Sequence, residues 1–152
     1  MNKELEFKRW FRGKLAAAGV WSEAFEPTRG TSVGTPDCLV LFGKDTGGIN
    51  PSIFVELKVG KIEGDKLFVT EIRASQYSWH KHFQYFGGIS CFAVGVKNGK
   101  DWDIYILPKF DQDEFMKFCK IGSVELKRCI VWPNLNCTFA YFQIIKRFLS
   151  LS

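Results

Sequence analysis

Residues 53–58, Ile-Phe-Val-Glu-Leu-Lys, constrain this chain more than any other stretch. The run is apolar and short, which reads as a strand. Side chains alternate between the two faces of a strand, so Val55 and Leu57 point into a core while Glu56 and Lys58 share the opposite side. Residues 38–42, Cys-Leu-Val-Leu-Phe, form a second short apolar run. Between the two, residues 43–51 hold Gly-Gly and Asn-Pro, which is turn chemistry. A strand that starts at Asp37 beside one that ends in Glu-Leu-Lys brings two carboxylates and a lysine to one edge of a small sheet.

The flanking segments supply the rest of an α/β pattern. Over residues 1–18, Phe7, Trp10 or Phe11, Leu15 and Ala18 fall at helical spacing, with Gly19 as the stop. Residues 20–36 carry Pro27, Gly30, Gly34 and Pro36, and read as one short strand followed by a flexible loop. Residues 59–66 read as a polar loop and 67–72 as a short extended piece. Residues 74–86 predict a helix with Tyr77 or Trp79, Phe83 and Phe86 on its buried side, closed by Gly87-Gly88. An apolar strand over 89–96, the hairpin signal Asn98-Gly99 and a returning strand over 102–107 follow. Asp111 with Glu114 three residues later is a capping-box signal for a helix to about residue 120. Residues 124–132 read as a strand and 138–149 as a last helix. The order implies a mixed sheet flanked by helices in a single domain over residues 1–152.

Composition narrows the function. The 152 residues suit one domain, and the 16% aromatic content can fill one core. The net charge of +5 and a pI near 9.0 suit a polyanionic partner such as nucleic acid. No apolar run approaches the roughly 20 residues that span a bilayer, and the N-terminal Met-Asn-Lys-Glu-Leu-Glu is too polar for a signal peptide. The five cysteines (Cys38, Cys91, Cys119, Cys129, Cys137) are odd in number and form no Cys-x-x-Cys pair, which argues against a zinc site or a disulfide framework. Reduced, mostly core thiols of a cytoplasmic protein are the expectation. Neither a Gly-rich nucleotide loop nor a hydroxyl or thiol nucleophile with its base is evident.

Two carboxylates and a lysine suit phosphodiester cleavage. A hard dication prefers oxygen ligands, so Asp37 and Glu56 suit Mg²⁺ or Mn²⁺, with the Leu57 carbonyl as a further ligand. Such an ion offsets the repulsion of the carboxylates, polarises the phosphoryl oxygen and acidifies water. Lys58 would orient that water or stabilise charge developing on the phosphate. Taken singly, each residue has an ordinary alternative: Glu-Leu-Lys as a solvated face with a cross-strand ion pair, Pro-Asp as a turn. Other polar residues are less specific. His80 and His82 lie about 200° apart on a helix and cannot chelate one metal together. His80 or Lys81 could face DNA, and Arg73 could contact phosphate or cap its helix. The stripe Phe139, Phe142, Ile145 and Leu149 reads as core or dimer contact.

Pro36-Asp37 followed by Glu56-x-Lys58 resembles the PD-(D/E)xK nuclease superfamily. Within it, Glu-Leu-Lys, a polar loop with Gly64 and Lys66, Arg73-x-x-Gln76 opening a helix, and Gly87-Gly88 before an apolar strand are similar to archaeal-type Holliday junction resolvases and to the virus-type replication-repair nucleases (the VRR-NUC group). Arg29, Ser32 and Gly34 ahead of Pro36-Asp37 resemble the Arg…Ser…Asp stretch of the resolvases. The likeness covers about residues 4–107; residues 108–152 would extend the same domain. It implies a restriction-endonuclease-like fold and Mg²⁺-dependent DNA hydrolysis, with Mn²⁺ as a substitute. Asp37 and Glu56 match the metal ligands, Lys58 the catalytic lysine, and Gln76 a residue near the site. Many members also use a glutamate on the first helix, for which Glu6 is the first candidate and Glu4 the second. Ser32 would reach the DNA backbone from its loop, or be simply a loop serine. Branched DNA as substrate, a homodimer to match its two-fold symmetry, and an intracellular chain, with a phage or viral source compatible, follow from the same resemblance.

Overall fold

Asn2 opens the first helix, α1 (Lys3–Ala17), its side chain accepting the Glu4 backbone N–H at 2.8 Å. Phe7, Phe11 and Leu15 recur along one face of α1 and are fully buried. The computed structural model describes residues 2–25, 36–41, 52–135 and 139–151. Arg29, Ser32 and the turn expected at 43–51 lie outside the described residues.

Two strands, β1 (Trp21–Ala24) and β2 (Cys38–Leu41), precede the long β3 (Ser52–Glu63). After these come β4 (Lys66–Val69), α2 (Ala74–Tyr85), β5 (Ser90–Asn98), β6 (Asp101–Ile106) and α3 (Gln112–Ile121). Short strands β7 (Ser123–Glu125) and β8 (Ile130–Val131) and the helix α4 (Phe139–Leu151) complete the order. The eight strands among the described residues join one mixed sheet in the order β1-β2-β3-β5-β6-β8, with β4 paired to β3 and to β7. Among the described residues only β3 and β5 run parallel, joined through β4 and α2. This is the mixed sheet flanked by helices that the order of elements implied.

Each face of the sheet covers its own core. Val55 and Leu57 of β3 pack with α1 and with Phe142, Ile145 and Leu149 of α4. Most of the C-terminal stripe is therefore core. On the opposite face Phe92 and Val94 of β5 pack with Tyr77 of α2 and with Phe115 and Phe118 of α3. Glu56 and Lys58 lie in register with Phe92 and Val94, on this second face. Residues beyond 107 thus contribute to both cores.

Three readings of the sequence need correction. The polar loop expected at 59–66 is a hairpin: β3 runs on to Glu63, and Gly64 at φ +62° starts a two-residue turn into β4. The strand expected at 124–132 is broken by a 3₁₀ turn at Leu126–Arg128 between β7 and β8. Phe86, expected on the buried side of α2, is 73% exposed, because the helix ends at Tyr85 and the inner face belongs to Gln76, Tyr77 and His80. The four described cysteines are free; Cys38 and Cys91 are buried and Cys119 is exposed. Among the described residues no helix is long and apolar enough to cross a membrane.

Candidate active site

The site lies at a gap in the ladder along one edge of β3. β2 pairs with Ser52–Val55 and β4 with residues 60–63 on that same edge, leaving residues 56–59 between them. Asp37, one residue before β2, turns its carboxylate into this gap, where Oδ2 accepts the Leu57 N–H at 2.8 Å. The N–H and C=O of one strand residue point to the same edge, so the Leu57 carbonyl also faces the gap.

Glu56 is held more firmly. Its Oε1 accepts Gln76 Nε2 at 2.6 Å and lies 3.8 Å from Lys58 Nζ. The Gln76 Oε1 accepts the Arg73 backbone N–H at 3.0 Å, which leaves the Gln76 NH₂ to donate to Glu56. This is one half of a capping box; a guanidinium has no acceptor for the other half. All three side chains are buried: Glu56 3%, Lys58 7% and Gln76 4% exposed. Burial beside Phe92, then the neighbouring Asp37 carboxylate, push the Glu56 carboxyl up to about 8, against the pull of Lys58 and Lys8. Its second oxygen, Oε2, is buried with no hydrogen-bond partner among the described residues.

That unpartnered oxygen tests whether a divalent cation suits the site. A buried carboxylate oxygen without a donor is costly unless a cation or proton meets it. Asp37, Glu56 and the Leu57 carbonyl offer hard oxygen donors only, the preference of Mg²⁺ and Mn²⁺. Among the described residues no three His, Cys, Asp or Glu side chains gather to form a closed cage. An ion here would keep positions for water and phosphate oxygens, as Mg²⁺ does. The residues fit the group.

α1 approaches the site with its Glu4 flank. Lys8 Nζ lies 2.7 Å from Asp37 Oδ1 and 3.6 Å from Glu4 Oε1. Burial pulls the Lys8 ammonium down, but the hydrogen bond and charge of Asp37 outweigh it and leave Lys8 raised. Glu6 pairs instead with Lys97 at the far end of β5. Two positions along a helix turn the side chain by about 200°, so Glu4 and Glu6 serve opposite flanks. Glu6 is thus not brought to Asp37 and Glu56.

The other candidates are scattered. Arg73 is exposed at the N-cap of α2, and Lys81 is exposed with its Nζ over the Tyr77 ring at 5.7 Å. His80 is 2% exposed, between Trp79 and Phe92, and both ring nitrogens lack a partner among the described residues. It lines a small, partly open pocket of about 60 Å³ with Gln84, Ser90 and Lys109, and its own ring is buried rather than presented to a DNA surface. Sequence reasoning missed Lys8. The Glu4-x-x-x-Lys8 spacing was visible as a helical ion pair, but the contact to Asp37 depends on how α1 docks.

No protein-family model matches the chain, and no curated protein matches it. Among solved structures, one archaeal protein is similar to it. That protein is Hjc of Archaeoglobus fulgidus, a Holliday junction resolvase from a hyperthermophile, solved at 1.6 Å. The two chains share 15% identity over 68% of this chain and 71% of that one, with a TM-score of 0.43.

Proposed function

We propose that this chain is a Mg²⁺-dependent endonuclease that hydrolyses DNA phosphodiester bonds. One observation carries the reading: Asp37, Glu56 and Lys58 meet at the gap in β3, with Glu56 Oε2 buried and lacking a donor. A buried Glu56 beside the half-buried Asp37 is poorly explained as a stabilising device, since each carboxylate raises the free energy of the other. It is well explained as a seat for a cation. The net charge of +5 suits the polyanionic substrate.

The protein's own groups have separable roles. Asp37 and Glu56 would hold the ion, with the Leu57 carbonyl as the neutral third donor. A bound divalent cation supplies Lewis acidity at the phosphate and a more acidic water. Gln76 fixes the Glu56 rotamer through its bond to Oε1 and leaves Oε2 without a donor. Lys58 lies beside Glu56 with its ammonium desolvated, where it orients the attacking water and stabilises charge developing on the phosphate. Water attacks phosphorus and gives up a proton to solvent, while the bond to the leaving deoxyribose oxygen breaks and that oxygen takes up a proton from solvent.

The finer reading is a structure-selective enzyme on branched DNA, acting as a homodimer because a four-way junction presents two symmetric cleavage points. Its support is the motif resemblance over residues 4–107. The test is cleavage of a four-way junction, a flap and a linear duplex of matched sequence, with Mg²⁺ and with chelator. Wild type and Glu56→Ala are run in parallel. Paired nicks on the junction, absent in Glu56→Ala, are expected. Cutting of flap or duplex alone would keep the nuclease and discard the junction. A folded protein that cuts nothing with Mg²⁺ or Mn²⁺ would leave a nucleic-acid-binding module of the same fold.

A further inference from the structure

The first helix delivers to Asp37 a charge opposite in sign to the glutamate expected there. Lys8 Nζ sits 2.7 Å from Asp37 Oδ1, and Oδ2 already accepts the Leu57 N–H. Both Asp37 oxygens are therefore engaged, while Glu56 Oε2 is not. Glu4, one turn earlier on α1, lies 3.6 Å from the same ammonium. We propose that Lys8 is a built-in cation that competes with the divalent metal for Asp37, and that Glu4 receives its ammonium when the metal loads.

Two effects act in one direction. Without metal, Asp37 and Glu56 repel, and the Lys8 charge lowers the free energy of the empty site. With a dication at Asp37, an ammonium at the same oxygen would be repelled. Lys8 thus stabilises the empty state, opposes the loaded one, and weakens metal binding on both counts. The exchange is mechanically easy. The Lys8 side chain is 33% exposed on a flexible four-carbon stem, and its alternative partner is already within ion-pair distance. Neighbouring cations cannot replace it. Arg12, one turn further along the same flank, is tied to the Ser22 hydroxyl and carbonyl at 3.3 Å. Lys58 is buried and already paired with Glu56 at 3.8 Å.

The inference rests on the metal site of the proposed nuclease, so its test separates the two. Mn²⁺ is titrated calorimetrically into the full chain as wild type, Lys8→Met, Lys8→Gln, Glu4→Gln and Asp37→Asn, each confirmed folded by circular dichroism. Both Lys8 variants are expected to bind Mn²⁺ about tenfold more tightly than wild type, or ~1.4 kcal/mol. Glu4→Gln is expected to bind about threefold more weakly, because the displaced ammonium has lost its acceptor. Saturating Mn²⁺ should also raise the melting temperature of Lys8→Met more than that of wild type. Lys8 variants that bind Mn²⁺ equally or more weakly, while wild type binds and Asp37→Asn does not, would overturn the role of Lys8 alone. Heat absent from every titration would overturn the metal site and this inference with it.

Discussion

Gln76 and Glu56 are joined by a 2.6 Å hydrogen bond that ties the first turn of α2 to the middle of β3. Because Gln76 Oε1 is taken by the Arg73 N–H, the same side chain caps the helix and clamps the carboxylate. Gln76→Ala removes both bonds and leaves the part-buried Arg73 N–H and the buried Glu56 Oε1 without these partners. Activity is expected to fall by about 10- to 100-fold, the usual cost of removing a group that orients a metal ligand. Stability is expected to fall by about 1–3 kcal/mol. Single-turnover cleavage and urea denaturation measure the two separately. Unchanged activity in a folded variant would show that Glu56 needs no clamp.

Glu56 is expected to make the metal-free protein less stable as pH rises. Its carboxyl is pushed up to about 8, from an ordinary value of 4.5. The sign follows from which state holds the proton more tightly. A raised carboxyl favours the folded state fully below pH 4.5, and that contribution is lost as pH rises through 8. Glu56→Gln cannot ionise, so in chelator at pH 8.5 it should melt above wild type by about 3 °C, the shift that ~1 kcal/mol gives a domain of this size. Saturating Mg²⁺ should reverse the order, since only wild type retains the carboxylate. Scanning calorimetry of both proteins with and without metal decides it.

Gly95 lets α1 sit close enough for Lys8 to reach Asp37. A Cβ on Gly95 would lie 2.5 Å from the ring of Phe7, which is fully buried against Phe11 and Trp102. Ala93 and Cys91 precede Gly95 on the same face of β5, so the helix lies over small side chains. Gly95→Ala must displace Phe7 and with it the next residue, Lys8. A loss of about 1–3 kcal/mol is expected, typical of overpacking. Chemical denaturation measures it, and Lys8→Met should shift Mn²⁺ affinity less in this background. A neutral Gly95→Ala would mean that Phe7 has another place to go.

The contrast between Asp37 and Lys8 shows what was legible in the sequence. The placement of Asp37 beside β3, with Glu56 and Lys58 on one face of that strand, depends on strand alternation within short runs of chain. The helices α1, α2 and α3 were readable from periodicity and from signals such as Asp111, which accepts the Glu114 N–H at 2.7 Å. Other features depend on tertiary placement. The extension of β3 to Glu63 reads as a polar loop because both faces there are largely exposed. Phe86 fits the helical stripe, yet α2 ends before the sheet covers it. The choice between Glu4 and Glu6 turns on which flank of α1 meets β2, and local spacing does not encode that.

His80 should limit the acid stability of the fold. Burial alone pulls its imidazole down to about 3, against an ordinary value of 6.5. In the folded protein it stays neutral well below the pH at which the unfolded chain takes up the proton. Its burial therefore carries no protonation penalty above pH 6.5, and stability is lost as pH falls from there towards 3. Between pH 6.5 and 4 the loss amounts to about 3 kcal/mol, at ~1.4 kcal/mol per pH unit. His80→Leu places an apolar side chain in the same apolar surroundings of Phe92 and Trp79 and removes the titration. Urea midpoints at pH 7 and pH 4 should show a smaller drop for His80→Leu than for wild type, while carboxylates elsewhere affect both proteins alike. Equal drops would mean that the imidazole is protonated in place, with the 60 Å³ pocket beside it holding enough polar partners to solvate the charge.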